Sequence, residues 1–199
     1  MEGTDQLAAL ARRAIDGDET AFRELIQELE PIVVRTTRLV VGSGSWIAED
    51  AAQEALADIT KNIAGVRSPE SILPWALRVA TTRAIKVSRR ERLLSLRRSP
   101  AVDLELLDER PSEPLDERRS ALISAFTRLS PRLRATAVLR LYLGLNESEA
   151  ADILGCPRET VRTNLHRARA KLTSTLADSG FAPATVPKRE EPQRWKQSV

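Results

Sequence analysis

Apolar residues recur along this chain at intervals of three and four, the period of an amphipathic helix, through most of its length. Leu7, Leu10, Ala11 and Ala14 give one face to a first helix running to about Ile15, with Thr4 or Asp5 as its cap. Gly17-Asp18 breaks it. A second helix, from about Thr20 to Val40, carries Phe22, Leu25, Ile26, Leu29 and Val33 in register, and Pro31 inside it predicts a kink or a break. After a turn at Gly42-Ser43-Gly44, a third helix from roughly Ile47 to Ile63 has a buried stripe of Ala52, Leu56, Ile59 and Ile63. A loop from Gly65 to Ser71 leads to a fourth helix, from Ile72 or Pro74 to about Arg92. Its apolar row is Leu73, Leu77, Ala80, Ala84 and Val87. Leu115, Leu122, Phe126 and Leu129 mark a fifth helix. Ser130-Pro131 starts a sixth, with Leu133, Ala137, Val138 and Leu141 buried and Gly144 closing it.

The stretch from Asn146 to Lys171 is the most informative. Asn146 can cap a short helix, with Glu149 three residues on in the capping-box position. Gly155 suits a left-handed helix end, and Pro157 the first position of a new helix. In that second helix Val161, Leu165, Ala168 and Leu172 form one buried stripe. The opposite face shows Glu159, Thr160, Arg162, Thr163, His166 and Arg167. A helix with an apolar back and a cationic, hydrogen-bonding front fits a DNA major groove. The same pattern also describes an ordinary core helix with a solvated face.

Composition narrows the field. Glycine is scarce at 8 and aromatics make up 4%, which together with short β-branched runs points to an all-α protein. Net charge is only +3, but it is laid out in blocks. Residues 1–30 hold eight acids against three bases, 83–98 seven bases against one acid, and 100–118 seven acids against two bases. Such blocks suggest separate surfaces for separate partners, and local basic patches suit nucleic acid. One cysteine, Cys156, rules out an internal disulfide framework, and with a single histidine makes structural zinc implausible. No apolar run approaches the ~20 residues of a membrane span, and the acidic N-terminus lacks a signal peptide's pattern, so a cytoplasmic protein is expected. Nothing supports an enzyme: there is no phosphate-cradling glycine loop and no Cys–His pair or metal cluster.

Two further surfaces stand out. On the third helix Asp50, Gln53 and Glu54 cluster away from the apolar stripe. On the fourth, Trp75, Arg78, Thr82, Lys86 and Arg89 face away from the apolar row. A ring above a ladder of cations and hydroxyls suits single-stranded nucleic acid. A helical wheel leaves the direction of the Trp75 ring open, toward solvent or folded back as a core anchor.

Three motifs in this order carry a family likeness. They are GDETAFRELI followed by AEDAAQEAL, then PWALRVATTRAIKVSRRER, then LSPRLRATAVLRLYLGLNESEAADILGCPRETVRTNLHRARAKL. With these the chain, from Asp18 to Leu176, resembles a bacterial RNA polymerase sigma factor of the extracytoplasmic-function (ECF) group. The resemblance implies two small helical domains joined by a flexible acidic linker. They are a region 2-like domain over 1–95, the linker over 96–114, a region 4-like helix-turn-helix over 115–178, and a tail over 179–199 expected to be disordered. It implies that Asp50, Gln53 and Glu54 dock on the β′ clamp of core polymerase, with the β flap as a further contact. Trp75, Arg78, Thr81, Thr82, Lys86 and Arg89 would meet the −10 element and assist melting. Arg158, Glu159, Thr160, Arg162, Thr163, His166 and Arg167 would read the −35 element. An anti-sigma protein is a candidate partner, and no cofactor is implied. The chain departs from the family pattern at Thr81 and Thr82, where Arg-Asn is usual, at Lys86 in place of an acid, and at Asn164 in place of a basic residue. The alternative reading is a conventional helix-turn-helix regulator with a helical dimerisation or sensing domain. It would bind duplex alone and would not need the Asp50-Gln53-Glu54 face.

Overall fold

The computed structural model describes residues 2–42, 45–97 and 117–181. All regular structure among them is helical: α1 (Glu2–Ile15), α2 (Glu19–Val41), α3 (Ser45–Asn62), α4 (Ile72–Arg97), α5 (Glu117–Thr127), α6 (Pro131–Ala137), α7 (Glu147–Leu154) and α8 (Arg158–Asp178). Two 3₁₀ turns, Ile63–Gly65 and Pro69–Ser71, join α3 to α4. Most of the expected linker (98–116) and of the expected tail (182–199) lies outside the described residues, while 96 and 97 belong to α4.

Local chemistry accounts for the ends. Asp18 starts α2, its carboxylate accepting from the backbone N–H of Thr20 and Ala21. Those bonds satisfy donors that a first helical turn leaves orphaned. They hold the Asp18 carboxyl below its ordinary range, the Ala21 bond first and the Arg13 side chain next. Gly42 ends α2 in the left-handed region, at φ 73°. Of the expected kink or break at Pro31 the break does not occur, because α2 runs through it as one helix. Pro31 and Gln27, whose carbonyl loses its partner, both face solvent, so water can take that bond.

The helix α1 and the α2–α3–α4 bundle enclose a core of Leu25, Leu29, Val33, Ile59 and Ile72, all essentially inaccessible to solvent. The α5–α8 group packs on itself through Ala125, Leu129, Ala137, Ala168 and Leu172. The two groups are not apart. Leu139, Leu145, Ala150, Ala151, Ile153 and Val161 belong to the same apolar cluster as Leu25 and Leu77. Helix α7 lies against α4, and α6 against α2 and α4.

In the second group the expectation of a buried Leu141 fails: Leu141 is exposed and Leu139 is buried instead, while Leu122, which marks α5, is exposed near a buried Ala125. After Ala137 the chain adopts a π-helical turn, Val138–Tyr142. A π turn takes more residues per revolution, so it rotates the following side chains off the 3.6-residue register. That carries Leu139 inward and Leu141 out.

Arg134 is the one charged residue buried among the described ones, at 6% exposure. No carboxylate of the described residues is paired with it. Its Nε donates to the carbonyl of Phe126 (2.8 Å), and its Nη2 to those of Thr127 (2.8 Å) and Leu129 (3.0 Å). Its Nη1 donates to the carbonyls of Val40 (3.1 Å) and Val41. A guanidinium has five N–H donors, and here each has an acceptor. Val40, Val41 and Thr127 lie at helix C-termini, where carbonyls are orphaned and the helix dipole is negative. Burial pushes the guanidinium down to about 10, with Arg92 adding to the effect, so it stays protonated at neutral pH.

Candidate nucleic-acid interface

The helix-turn-helix forms as its residues dictate. Asn146 accepts from the backbone N–H of Glu149 (3.0 Å), and Glu149 accepts in return from the Asn146 N–H (2.7 Å). Gly155 closes α7 at φ 60°. The four stripe residues of α8, Val161, Leu165, Ala168 and Leu172, are buried, so the helix back is fixed. Arg158, Glu159, Arg162, Thr163, His166 and Arg167 are exposed on its front, and Thr160 is half-buried at its start. Arg162 is already engaged: Nη1 lies 3.4 Å from Glu159 and Nη2 3.5 Å from Glu147. Such exposed pairs are weak and exchange readily for a phosphate or base edge.

Helix α4 is more complicated. Arg78, Thr82, Lys86 and Arg89 are exposed, in line with the sequence pattern. Thr82, Lys86 and Arg89 line a cleft of about 690 Å³, together with Arg90 and with Arg132 from α6. Ile85, Leu93, Leu94 and Leu154 form its apolar part. Cations around an apolar lining can hold phosphate and base together. Neither Arg90 nor Arg132 was singled out from sequence; Arg132 lies 43 positions beyond Arg89, and no periodicity links them. Two candidates lie elsewhere. Trp75 is half-buried and packs on the main core, so it is largely an anchor here. Thr81 is only 1% exposed and its Oγ1 has no hydrogen-bond partner. Its side chain points inward between Ala80 and Ala84 positions of the buried row, which removes it from any surface in this conformation.

On α3, Asp50 and Gln53 are exposed and Glu54 is half-buried. Arg83 of α4 explains the difference. Its Nη1 donates to Glu54 (3.1 Å) and its Nε to Asp58 (2.5 Å). The cluster is therefore braced from α4, and only Asp50 and Gln53 stand fully outward.

Comparison with known proteins places this arrangement. Residues 25–93 match the family model described as Sigma-70 region 2, and residues 119–172 that of Sigma-70, region 4. The fold thus joins the two core modules of the sigma-70 class. ECF RNA polymerase sigma factor SigD of Mycobacterium tuberculosis is 31% identical over 192 residues, covering 90% of this chain and 88% of that protein. ECF RNA polymerase sigma factor ShbA of Streptomyces griseus is 28% identical, covering 85% of this chain and 94% of its own length. The chain belongs to the ECF sigma factors, and its function is that of a sigma factor in transcription initiation. Its fold is similar to CnrH, solved in complex with the cytosolic domain of CnrY, at a TM-score of 0.62 and 21% identity over 87% of this chain. It is equally similar to RpoE of Bartonella quintana, solved with the anti-sigma factor NepR, at 0.62 and 22% over 78%. No helix among the described residues is long and apolar enough to cross a membrane.

Proposed function

We propose that α8 reads the −35 element through Arg158, Glu159, Thr160, Arg162, Thr163, His166 and Arg167, while α4 meets the −10 element through Arg78, Thr82, Lys86 and Arg89. The observation that carries this reading is the exposed front of α8 above a fully buried back. A helix so fixed can place a short run of polar side chains against base edges, and the cations supply the phosphate attraction. Trp75 and Thr81 join the −10 surface only after α4 changes its surroundings. Melting needs more than phosphate contacts, because an unstacked base costs a few kcal/mol and requires a lined pocket. The cleft beside Lys86 and Arg132 supports such a role.

Asp50, Gln53 and Glu54 are the proposed contact for the β′ clamp of core polymerase, with Arg83 holding the helix pair that presents them. The region 4-like half is proposed to meet the β flap. We take 1–95 and 115–178 as the two working units, joined by 96–114. The protein lends recognition to the cytoplasmic polymerase and contributes no bond-making chemistry. Two structurally similar proteins were solved with a partner, one of them named an anti-sigma factor, so an anti-sigma partner is proposed here too.

In vitro transcription with core polymerase on a genomic fragment library tests the whole reading. Transcripts that depend on the added chain and share two upstream elements are the expected result. Duplex binding without any chain-dependent transcript would favour a conventional regulator instead.

A further inference from the structure

Arg134 stands where the two halves of the chain meet. Three of its hydrogen bonds stay within its own half, to Phe126, Thr127 and Leu129. The other two cross to Val40 and Val41 at the end of α2. Gly42 follows directly, and a Cβ there would overlap the Arg134 guanidinium. The arginine occupies the space that a side chain at position 42 would need. A second polar contact crosses the same boundary: Arg78 Nη1 donates to the carbonyl of Asp152 at 3.3 Å. A cation proposed for the −10 element is thereby held against α7. The apolar face of α7, at Ala150, Ala151 and Ile153, is buried in the cluster shared with α4.

This closed arrangement conflicts with simultaneous promoter contacts. A compact chain of this length is about 40 Å across. Elements centred near −35 and −10 lie roughly 25 base pairs apart, about 85 Å along the duplex at about 3.4 Å per pair. From Arg97 to Glu117 the chain has length enough to reach about 70 Å when extended. The halves can therefore part without either unfolding, and they must part for α4 and α8 to act together.

We propose that Arg134, seated on the C-terminus of α2 beside Gly42, is a latch that holds the free chain in a closed resting form. The proposal rests on the reading of α4 and α8 given above. The latch is built to release. On opening, Arg134 keeps three of its five bonds, and water takes the place of Val40 and Val41. The carbonyls left behind lie at a helix end, where water is an ordinary partner. A binding partner that holds the two halves apart draws the equilibrium open in proportion to its preference for that form.

The test uses the full chain with spin labels at Gln27→Cys and Ala170→Cys, both exposed positions, in a Cys156→Ser background. Double electron–electron resonance should give one narrow inter-label distance. Gly42→Ala should lengthen and broaden it, because the new methyl displaces the guanidinium. Gly17→Ala is the control: its φ is also positive, at 96°, but nothing lies within 4 Å of the added atom. It carries the same kind of backbone strain and should stay narrow. Arg134→Lys keeps the charge with fewer donors, and it should also open the chain. A narrow distance retained by both Gly42→Ala and Arg134→Lys, or a broad one already present in the parent, overturns the latch. In a second arm, the opened variants should reach half-maximal holoenzyme formation at several-fold lower concentration. Opening without that gain overturns the resting-form role. A parent chain that never binds core polymerase would instead overturn the reading of its surfaces, with the distance result unaffected.

Discussion

Helices α4 and α8 are built alike and situated differently. Both set an apolar row against a core and cations on the other side. In α8 the outer face is, among the described residues, exposed apart from the Glu147 pair to Arg162. In α4 the outer face is partly spoken for: Arg78 reaches Asp152, Trp75 packs inward, and Thr81 is sealed. The helix proposed to read duplex thus stands ready, whereas the helix proposed to capture single-stranded DNA needs rearrangement first. An opened strand exists only after the polymerase has engaged, so a face completed late is suited to that order.

The largest predicted effect lies on α3. Asp50→Arg combined with Glu54→Arg should abolish co-purification with core polymerase while circular dichroism shows intact helicity. Retained co-purification would move the docking surface away from α3. The next tests whether the two halves are coupled. Leu139, fully buried in the cluster shared with α1–α4, should cost about 2–5 kcal/mol when changed to Ala. Calorimetry should show one transition moved down as a whole. Two transitions, with only the second displaced, would make the halves independent.

Arg162→Ala should weaken binding to −35 duplex by about 1–3 kcal/mol, with Arg78→Ala leaving that affinity unchanged. Arg78→Ala should instead lower open-complex yield on a complete promoter, read by permanganate footprinting. Equal effects of both changes on duplex affinity would erase the distinction between the helices. The smallest effect concerns α2. Asp18 has its folded-state pKa below the ordinary value, so its stabilising contribution is present above that ordinary value. It is lost as pH falls through the lower, folded-state pKa. Asp18→Asn should therefore lower Tm slightly at pH 7, and the difference should shrink as pH falls through the folded-state pKa of Asp18.

Much of this was readable from residues. All four stripe residues of α8 are where a 3.6-residue period puts them, and the Asn146–Glu149 box and Gly155 end follow from local chemistry. Short-range rules suffice there, because caps and periodicity are properties of neighbouring residues. They fail where distant parts meet. The π turn at Val138–Tyr142 has no propensity signature, and it exchanged Leu141 for Leu139. Thr81 looked like a surface residue by family analogy, yet it sits within the apolar row of α4. Arg134 was missed although its spacing offered a hint: it precedes Ala137 and Val138, both read as buried, by three and four positions. Its acceptors are backbone carbonyls, up to 94 positions away, and carbonyls leave no trace in side-chain identity.

Helix α7 is eight residues long. Isolated helices of that length are marginal in water, and tertiary contacts supply most of their stability. The angle at which α8 is presented is thus a borrowed property. Helix α7 takes its support from α4 as well as from α8. If α4 departs, the small residues Ala150 and Ala151 face water, and the turn loses a wall. Whatever surface next covers them inherits control over where α8 points.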